Sequence, residues 1–294
     1  MKAFGRLYTL LFTLALAAFS VYALLDTFVI SRVYAVAAPR EEAAAAETAQ
    51  SARYSDTSYA DDTISVSLST WYENGTHIYV ADVRVTSPEY LLTALSENCY
   101  GRNVTAATSD TAAEVHAILA INGDNYGSRE KGYVIRNGVL YRDTAARDQE
   151  DLVIYADGSF EIIRESEVTA QELVAGGAMQ VFSFGPGLIE DGEITVGAED
   201  EVDRAKASNP RTAIGILEEN HYVFVVSDGR SEESEGLSLL ELAQFLQKLG
   251  VREAYNLDGG GSSTMVFLGE LVNQPAGGHG TAERAVTDIV YIGY

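Results

Sequence analysis

A single cysteine, Cys99, stands in the 294 residues. No intrachain disulfide and no cysteine-based zinc site can therefore form. That excludes a disulfide-stapled ectodomain, although a domain with a sufficient core needs no staples outside the cell. The thiol reads as a small buried apolar group rather than a nucleophile. Positive charge is also scarce: 20 Lys and Arg stand against 43 Asp and Glu, for a formal net charge of −23. A field of that sign repels nucleic acid and anionic head groups, which argues against a nucleic-acid partner. No internal repeat, no G-x-S-x-G elbow and no HExxH or EF-hand spacing is present. A serine-hydrolase reading would need Ser262 or Ser263 with His279 as base and no clear orienting group, and it is disfavoured. A divalent metal held by Asp124, Asp228 and Asp258 is conceivable from residue type but matches no known spacing. No cofactor is expected.

What is present is an apolar share of 47 %, enough for a large core in a chain of this length. Lys2 and Arg6 precede a run from Leu7 to Ile30 broken only by Thr9, Thr13, Ser20, Asp26 and Thr27. As a helix it would span roughly 36 Å, enough to cross a hydrocarbon core of about 30 Å. Positive charge before the run predicts residues 1–6 in the cytoplasm, a membrane anchor over 7–30 and the rest outside. A secreted protein, cleaved after Ala35-Val36-Ala37, is the alternative. Residues 31–62 are rich in Ala, Ser, Thr and charge and read as a linker. The domain is then expected over 63–294.

That domain alternates strand-like runs with turn dipeptides. Thr63–Leu68 and Thr76–Val85 flank Asn74-Gly75; Tyr133–Ile135 and Val139–Tyr141 flank Asn137-Gly138. Leu152–Tyr155 with Phe160–Ile163, and Ala213–Leu217 with Tyr222–Val226, make two further hairpins. Val115–Ile121 is a buried apolar run, with His116 read as a core histidine. The pattern over Leu237–Leu249 predicts a helix, capped by Ser238 and stopped by Gly250. Strands dominate, so the class is α+β, a central mixed, mainly antiparallel sheet with flanking helices behind an N-terminal membrane helix.

Three polar, glycine-rich stretches each follow an apolar run: 122–127 (NGDNYG), 227–230 (SDGR) and 256–264 (NLDGGGSST). The first two are ordinary turn chemistry. Three consecutive glycines exceed what a turn needs and let backbone amides approach a ligand closely, as anion-binding nests do.

In order and spacing, the motifs Ala120–Gly123, Val134–Gly138, Phe184–Leu188, Asn209–Gly215, Ser227–Arg230, Asn256–Thr264 and Arg284 resemble those of the phosphodiester glycosidases. The resemblance runs from about Tyr79 to Ile292. It implies hydrolysis of a sugar–phosphate diester at the anomeric C–O bond, on a cell-surface or polysaccharide-derived substrate. An anion approaching so acidic a protein needs local positive charge, and Arg211, Arg230 and Arg284 lie within these motifs. The resemblance thus implies a phosphate pocket made by these arginines with Thr212, Gly259, Gly260, Gly261, Ser262 and Ser263. Asp258 and Asp228, then Asp124, are the candidates for a carboxylate acting as base or nucleophile. Asn122 and Asn256 would contact sugar hydroxyls, orient the carboxylates or simply shape their turns. A non-catalytic glycan-binding or exopolysaccharide-assembly protein on the same fold is the alternative.

Overall fold

The computed structural model describes residues 2–38, 52–198, 208–277 and 282–294. His279, considered above as a base, lies outside them. An apolar helix, Lys2–Phe28, opens the chain, and its window Phe4–Phe28 is long and apolar enough to cross a membrane. Its large hydrophobic side chains from Phe4 to Phe28 are exposed.

Among the described residues the strands form three antiparallel sheets and one two-stranded ribbon. The largest runs Glu193–Ile194, Gly187–Glu190, Glu253–Asn256, Arg211–Glu218, His221–Ser227, Thr76–Val85, Ile64–Glu73, Ser58–Ala60 and Arg53–Ser55, each strand hydrogen-bonded to the next. Its central strands are apolar on both faces, as strands covered on both sides must be. In Thr76–Val85 the alternation of side chains sends Ile78 and Val80 to one face and Ala81, Val83 and Val85 to the other. The first face takes the helix Leu239–Lys248, which buries Leu239, Leu242, Ala243, Phe245 and Leu246. Burying each larger side chain of this set contributes about 1.5–3 kcal/mol. Ser238 accepts from the Glu241 amide while Glu241 reaches back to Ser238, a closed capping box that satisfies the free amides of the first turn.

The second face packs against a five-stranded sheet ordered Glu270–Leu271, Met265–Phe267, Leu119–Asn122, Asp288–Ile292 and Leu91–Leu95. Ile121, Met265 and Val290 of that sheet share a core with Ile64, Phe224 and Tyr255 of the large one. The third sheet, Val139–Arg142, Val134–Arg136, Ala178–Phe182, Glu150–Tyr155 and Phe160–Arg164, closes this core with Leu152, Ile154 and Phe182. The class is α+β, as expected, and every strand pair among the described residues is antiparallel.

Three local expectations change. The stretch read as a linker, 31–62, contributes strands: Arg32–Val36 pairs with Cys99–Arg102, and Arg53–Ser55 with Ser58–Ala60 extends the large sheet. Strands of three to five residues are too short to show an apolar period. The run from Val115 becomes a strand only at Leu119: Val115 caps the helix Thr108–Glu114 and residues 115–118 form the connection. His116 falls in the connecting turn at φ 51°, exposed rather than in the core. Cys99 is half-buried.

Candidate functional site

Register brings the glycine-rich loops to one end of the two packed sheets. Arg211 pairs with Ser227 and Ala213 with Asn256 in the large sheet, so Arg211, Asp228 and Asp258 leave adjacent strand ends. In the second sheet Met265 pairs with Ile121 and Asn122 with Ile289, which places the end of the glycine loop beside Asn122. Loops at strand ends are where a rigid scaffold presents binding groups.

Asn122 ties the two sheets together. Its buried amide donates to the Asp258 carbonyl at 2.6 Å, while its Oδ1 accepts from Thr212 Oγ1 at 2.8 Å and the Thr264 amide at 3.2 Å. Both ends of the carboxamide and the Thr212 hydroxyl are thereby engaged inside the protein. These contacts tie the Asp258 segment to Thr212 and Thr264.

The turn from Asp258 to Thr264 holds most of its own amides. Asp258 N donates to Gly123 O, Gly260 N to Pro210 O, Ser262 N to Gly259 O and Ser263 N to Gly260 O. Among the described residues the amides of Gly259 and Gly261 remain without a partner. The glycines answer close approach: a Cβ on Gly259 would stand 2.9 Å from Pro210 O, and one on Gly261 2.8 Å from Gly277 Cα. Gly260 adopts φ +62°, and a Cβ there would meet Arg230 Nη2 at 2.9 Å.

The three arginines border this turn, each beside a different glycine. Arg211 Cδ lies 4.0 Å from the Cβ position of Gly259, Arg230 packs on Gly260, and Arg284 Cβ lies 3.5 Å from that position on Gly261. Their polar atoms are occupied differently. Arg284 Nη2 donates to Asp258 Oδ2 at 2.9 Å and to Gly259 O at 3.1 Å, and its Nε donates to Ser262 Oγ at 2.8 Å. Arg230, exposed, holds Asn209 Oδ1. Arg211 is buried, with Nε on the Leu237 carbonyl at 2.8 Å.

Asp258 is nearly buried, and its Oδ1 takes no partner among the described residues. Asp228 is held on both oxygens: Oδ1 accepts from Gln274 N at 2.9 Å and Asn273 Nδ2 at 3.3 Å, and Oδ2 from the Tyr79 hydroxyl at 2.9 Å. Burial pushes the Asp228 carboxyl up, outweighing those hydrogen bonds. Asn273 also donates to Ser263 O at 3.0 Å, which joins the Asp228 and Asp258 loops. Asn256 Nδ2 donates to Gly185 O at 2.8 Å. Asn256 Oδ1 and the hydroxyl of Ser263 are buried with no hydrogen-bond partner among the described residues.

Asp124 stands apart. Its carboxylate accepts from the amides of Tyr126 and Ser183 and pairs with Arg136 at 2.9 Å, while Arg136 also binds Asp288. All three charged side chains are buried. Among the described residues no group of three or more His, Cys, Asp and Glu could hold a metal ion. Sequence reasoning missed Asn273, Gln274 and Tyr79, and gave Asn209 no role beyond its motif. The polar Asn273-Gln274-Pro275 turn was a local signal for the first two, whereas Tyr79 looks like any strand aromatic.

A family model described as phosphodiester glycosidase matches residues 115–293. Among curated proteins, the SPbeta prophage-derived uncharacterized protein YomE of Bacillus subtilis is 31% identical over 188 residues, covering 62% of this chain and 29% of that protein. Mouse N-acetylglucosamine-1-phosphodiester alpha-N-acetylglucosaminidase is 29% identical over 186 residues, covering 58% of this chain and 36% of that enzyme. The match thus spans about a third of the length of these relatives. Among solved structures, the catalytic domain of zebrafish N-acetylglucosamine-1-phosphodiester alpha-N-acetylglucosaminidase, auto-inhibited by its pro-peptide, has a TM-score of 0.62 at 22% identity, covering 90% of this chain and 89% of that one. A hypothetical protein from Synechocystis has a TM-score of 0.58 at 15% identity, covering 79% and 62%. These two likenesses concern the fold alone.

Proposed function

The chain belongs to the phosphodiester glycosidase family, and from that premise we propose that it hydrolyses the bond between an anomeric carbon and a phosphodiester oxygen. The products are a free sugar and a phosphomonoester. The observation that carries this reading is the pairing of Asp258 with the half-exposed Arg284 on the glycine turn, with Arg230 on the turn's other side.

The chemistry needs a carboxylate near the anomeric carbon and positive charge near the departing phosphate. A phosphomonoester has its second pKa near ~6, so it leaves far more readily than an alkoxide. Arginine contacts to the developing charge can then replace much of the work of the general acid used by ordinary glycosidases. In this reading Asp258 is the base toward water or the nucleophile. Arg284 and Arg230 bind the phosphate with the amides of Gly259 and Gly261, while Arg211 and Ser262 support the turn. Asp228, held by Tyr79, Asn273 and Gln274, is the second carboxylate, and Asn256 Oδ1 accepts from a sugar hydroxyl.

The proposal extends to location. The Lys2–Phe28 helix anchors the chain in the membrane, with residues 1–6 in the cytoplasm and the domain outside, facing cell-surface or polysaccharide-derived substrate. Protease added to intact cells should then digest the domain and spare a tag at Met1.

A panel of UDP-sugars and sugar-1-phosphodiesters tests the activity. Free reducing sugar released by the purified protein is the expected result. Binding to the panel with no turnover would instead favour the glycan-binding or exopolysaccharide-assembly alternative.

A further inference from the structure

Behind the candidate site lies a pair of buried carboxyls that the proposed chemistry does not use. Asp151, on the strand Glu150–Tyr155, is 0 % exposed, and neither carboxylate oxygen receives a hydrogen bond among the described residues. Its side-chain neighbours are the Glu165 carboxyl and the Ser183 hydroxyl. Ser183 has one hydroxyl proton, and it goes to Glu165 Oε1 at 3.0 Å. Glu165 is otherwise saturated with donors: the Tyr133 amide reaches Oε1 at 2.7 Å and the Ala146 amide reaches Oε2. Glu165 is therefore the acceptor of the pair.

An ionised Asp151 in this setting would be a buried charge without a donor, which burial strongly disfavours. A neutral Asp151 has a proton to donate, and Glu165 is the acceptor beside it. The other charged or titratable groups facing Asp151 do not relieve it. Asp124 lies on the loop after Leu119–Asn122, Tyr133 just before the strand Val134–Arg136, and Tyr255 on the strand Glu253–Asn256 of the large sheet. Of the cations around this cluster, Arg136 binds Asp124 and Asp288, and Arg129 binds the Ser183 carbonyl at 2.7 Å. Arg142, near Ser183 across Gly132, gives Nε and Nη1 to the carbonyls of Gly132, Tyr126 and Arg129, and its Nη2 makes no hydrogen bond among the described residues. Burial, reinforced by Glu165, pushes the Asp151 carboxyl well up.

The pair reaches the site through one segment. Ser183, gripped by Glu165, Asp124 and Arg129, begins the loop 183–187. The Phe184 amide donates to the Tyr255 hydroxyl at 2.9 Å. The carbonyls of Gly185 and Pro186 then accept from Asn256, at 2.8 Å from Nδ2 and 3.2 Å from the backbone amide. Asn256 is the residue whose Oδ1 is buried and unpartnered two positions before Asp258.

We propose that Asp151 and Glu165 are a positioning pair for the candidate site: Asp151 stays neutral, donates its hydrogen bond to Glu165, and through Ser183 holds the 183–187 loop against Asn256. The proposal takes its interest from the hydrolase reading but is tested without substrate, so the two can fail separately.

The test compares the parent with Asp151→Asn and Asp151→Leu. Asparagine is neutral at every pH and still donates; leucine is neutral and cannot. A group raised in the folded state contributes stability that is full below its unfolded value and is lost as pH rises toward its folded value. Thermal unfolding should therefore show the parent losing ground to Asp151→Asn as pH rises above ~4, by a factor of about ten in the folding equilibrium per pH unit until the folded value is reached. Amide exchange across 184–187 should be as slow in Asp151→Asn as in the parent and faster in Asp151→Leu. In an active protein KM should rise more than kcat falls in Asp151→Leu, with asparagine restoring both. Parallel stability curves for parent and Asp151→Asn would overturn the proposal, as would equal exchange in the two variants. Should the variants not fold, carboxyl carbon-13 NMR of the labelled parent decides it: one aspartic carboxyl neutral at neutral pH is expected, and every aspartate ionised there would overturn it.

Discussion

Arg284 Nη2 lies 2.9 Å from Asp258 Oδ2, while Nε of the same guanidinium donates to Ser262 Oγ at 2.8 Å. One side chain thus joins the leading carboxylate to the turn that follows it, and it stays 46% exposed, open to an incoming anion. Lysine keeps the charge but cannot make both contacts in a fixed plane. Arg284→Lys should therefore lower kcat/KM by about 10²–10³, the range for losing one positioned donor to developing charge. Steady-state kinetics on any substrate the parent hydrolyses checks this, and parent-like values would remove Arg284 from the site.

Asp124 gives the opposite expectation. It belongs to a buried ion triad with Arg136 and Asp288, so its neutralisation leaves a buried guanidinium short of a partner. Asp124→Asn should cost about 3–5 kcal/mol of stability, as breaking a buried pair does. Denaturant unfolding measures the loss. Unchanged stability with a large fall in kcat would return Asp124 to the catalytic candidates.

A second structural carboxylate fixes the start of the large sheet to the chain's end. Asp61 receives the hydroxyls of Tyr59 and Tyr294 and the amides of Thr63 and Ile64. Burial alone would raise its carboxyl, but these hydrogen bonds prevail and bring it down to about 2. A folded value below the unfolded ~3.9 contributes stability that is present above that pH and lost as pH falls toward about 2. Asp61→Asn should be less stable than the parent at neutral pH, with the gap closing as pH falls through that window. A gap independent of pH would show that the charge is not what matters.

The strands flanking Asn74-Gly75 and Asn137-Gly138, and the helix behind Ser238, were legible because period and turn chemistry agree locally. Residues 53–60 were not: their pairing partners lie across the sheet, and a three-residue edge strand has no period to read. The site was legible in the same uneven way. Arg211, Arg230 and Arg284 border the turn that carries Asp258, and Asp228 reaches it through Asn273, from motifs far apart in the chain. Which polar side chain faces outward was hidden, because Asn122 at a strand end looks like a ligand until both halves of its carboxamide are found bonded inside. Asp124 was hidden for a related reason: the buried arginine that claims it enters from another strand. Asn273, which bridges the two aspartate loops, sits 45 residues from Asp228 and has no motif of its own.

The central claim is that Asp258 performs chemistry at this turn, and kcat of Asp258→Asn against that of Asp228→Asn tests it most directly. Asparagine preserves shape and removes the charge a base or nucleophile requires. On a sugar-1-phosphodiester that the parent hydrolyses, Asp258→Asn should lose about 10²–10⁴ in kcat with little change in melting temperature. The Asp228→Asn loss should be smaller. An unchanged kcat in both variants would contradict the account and leave Asp258 as a residue of the turn alone.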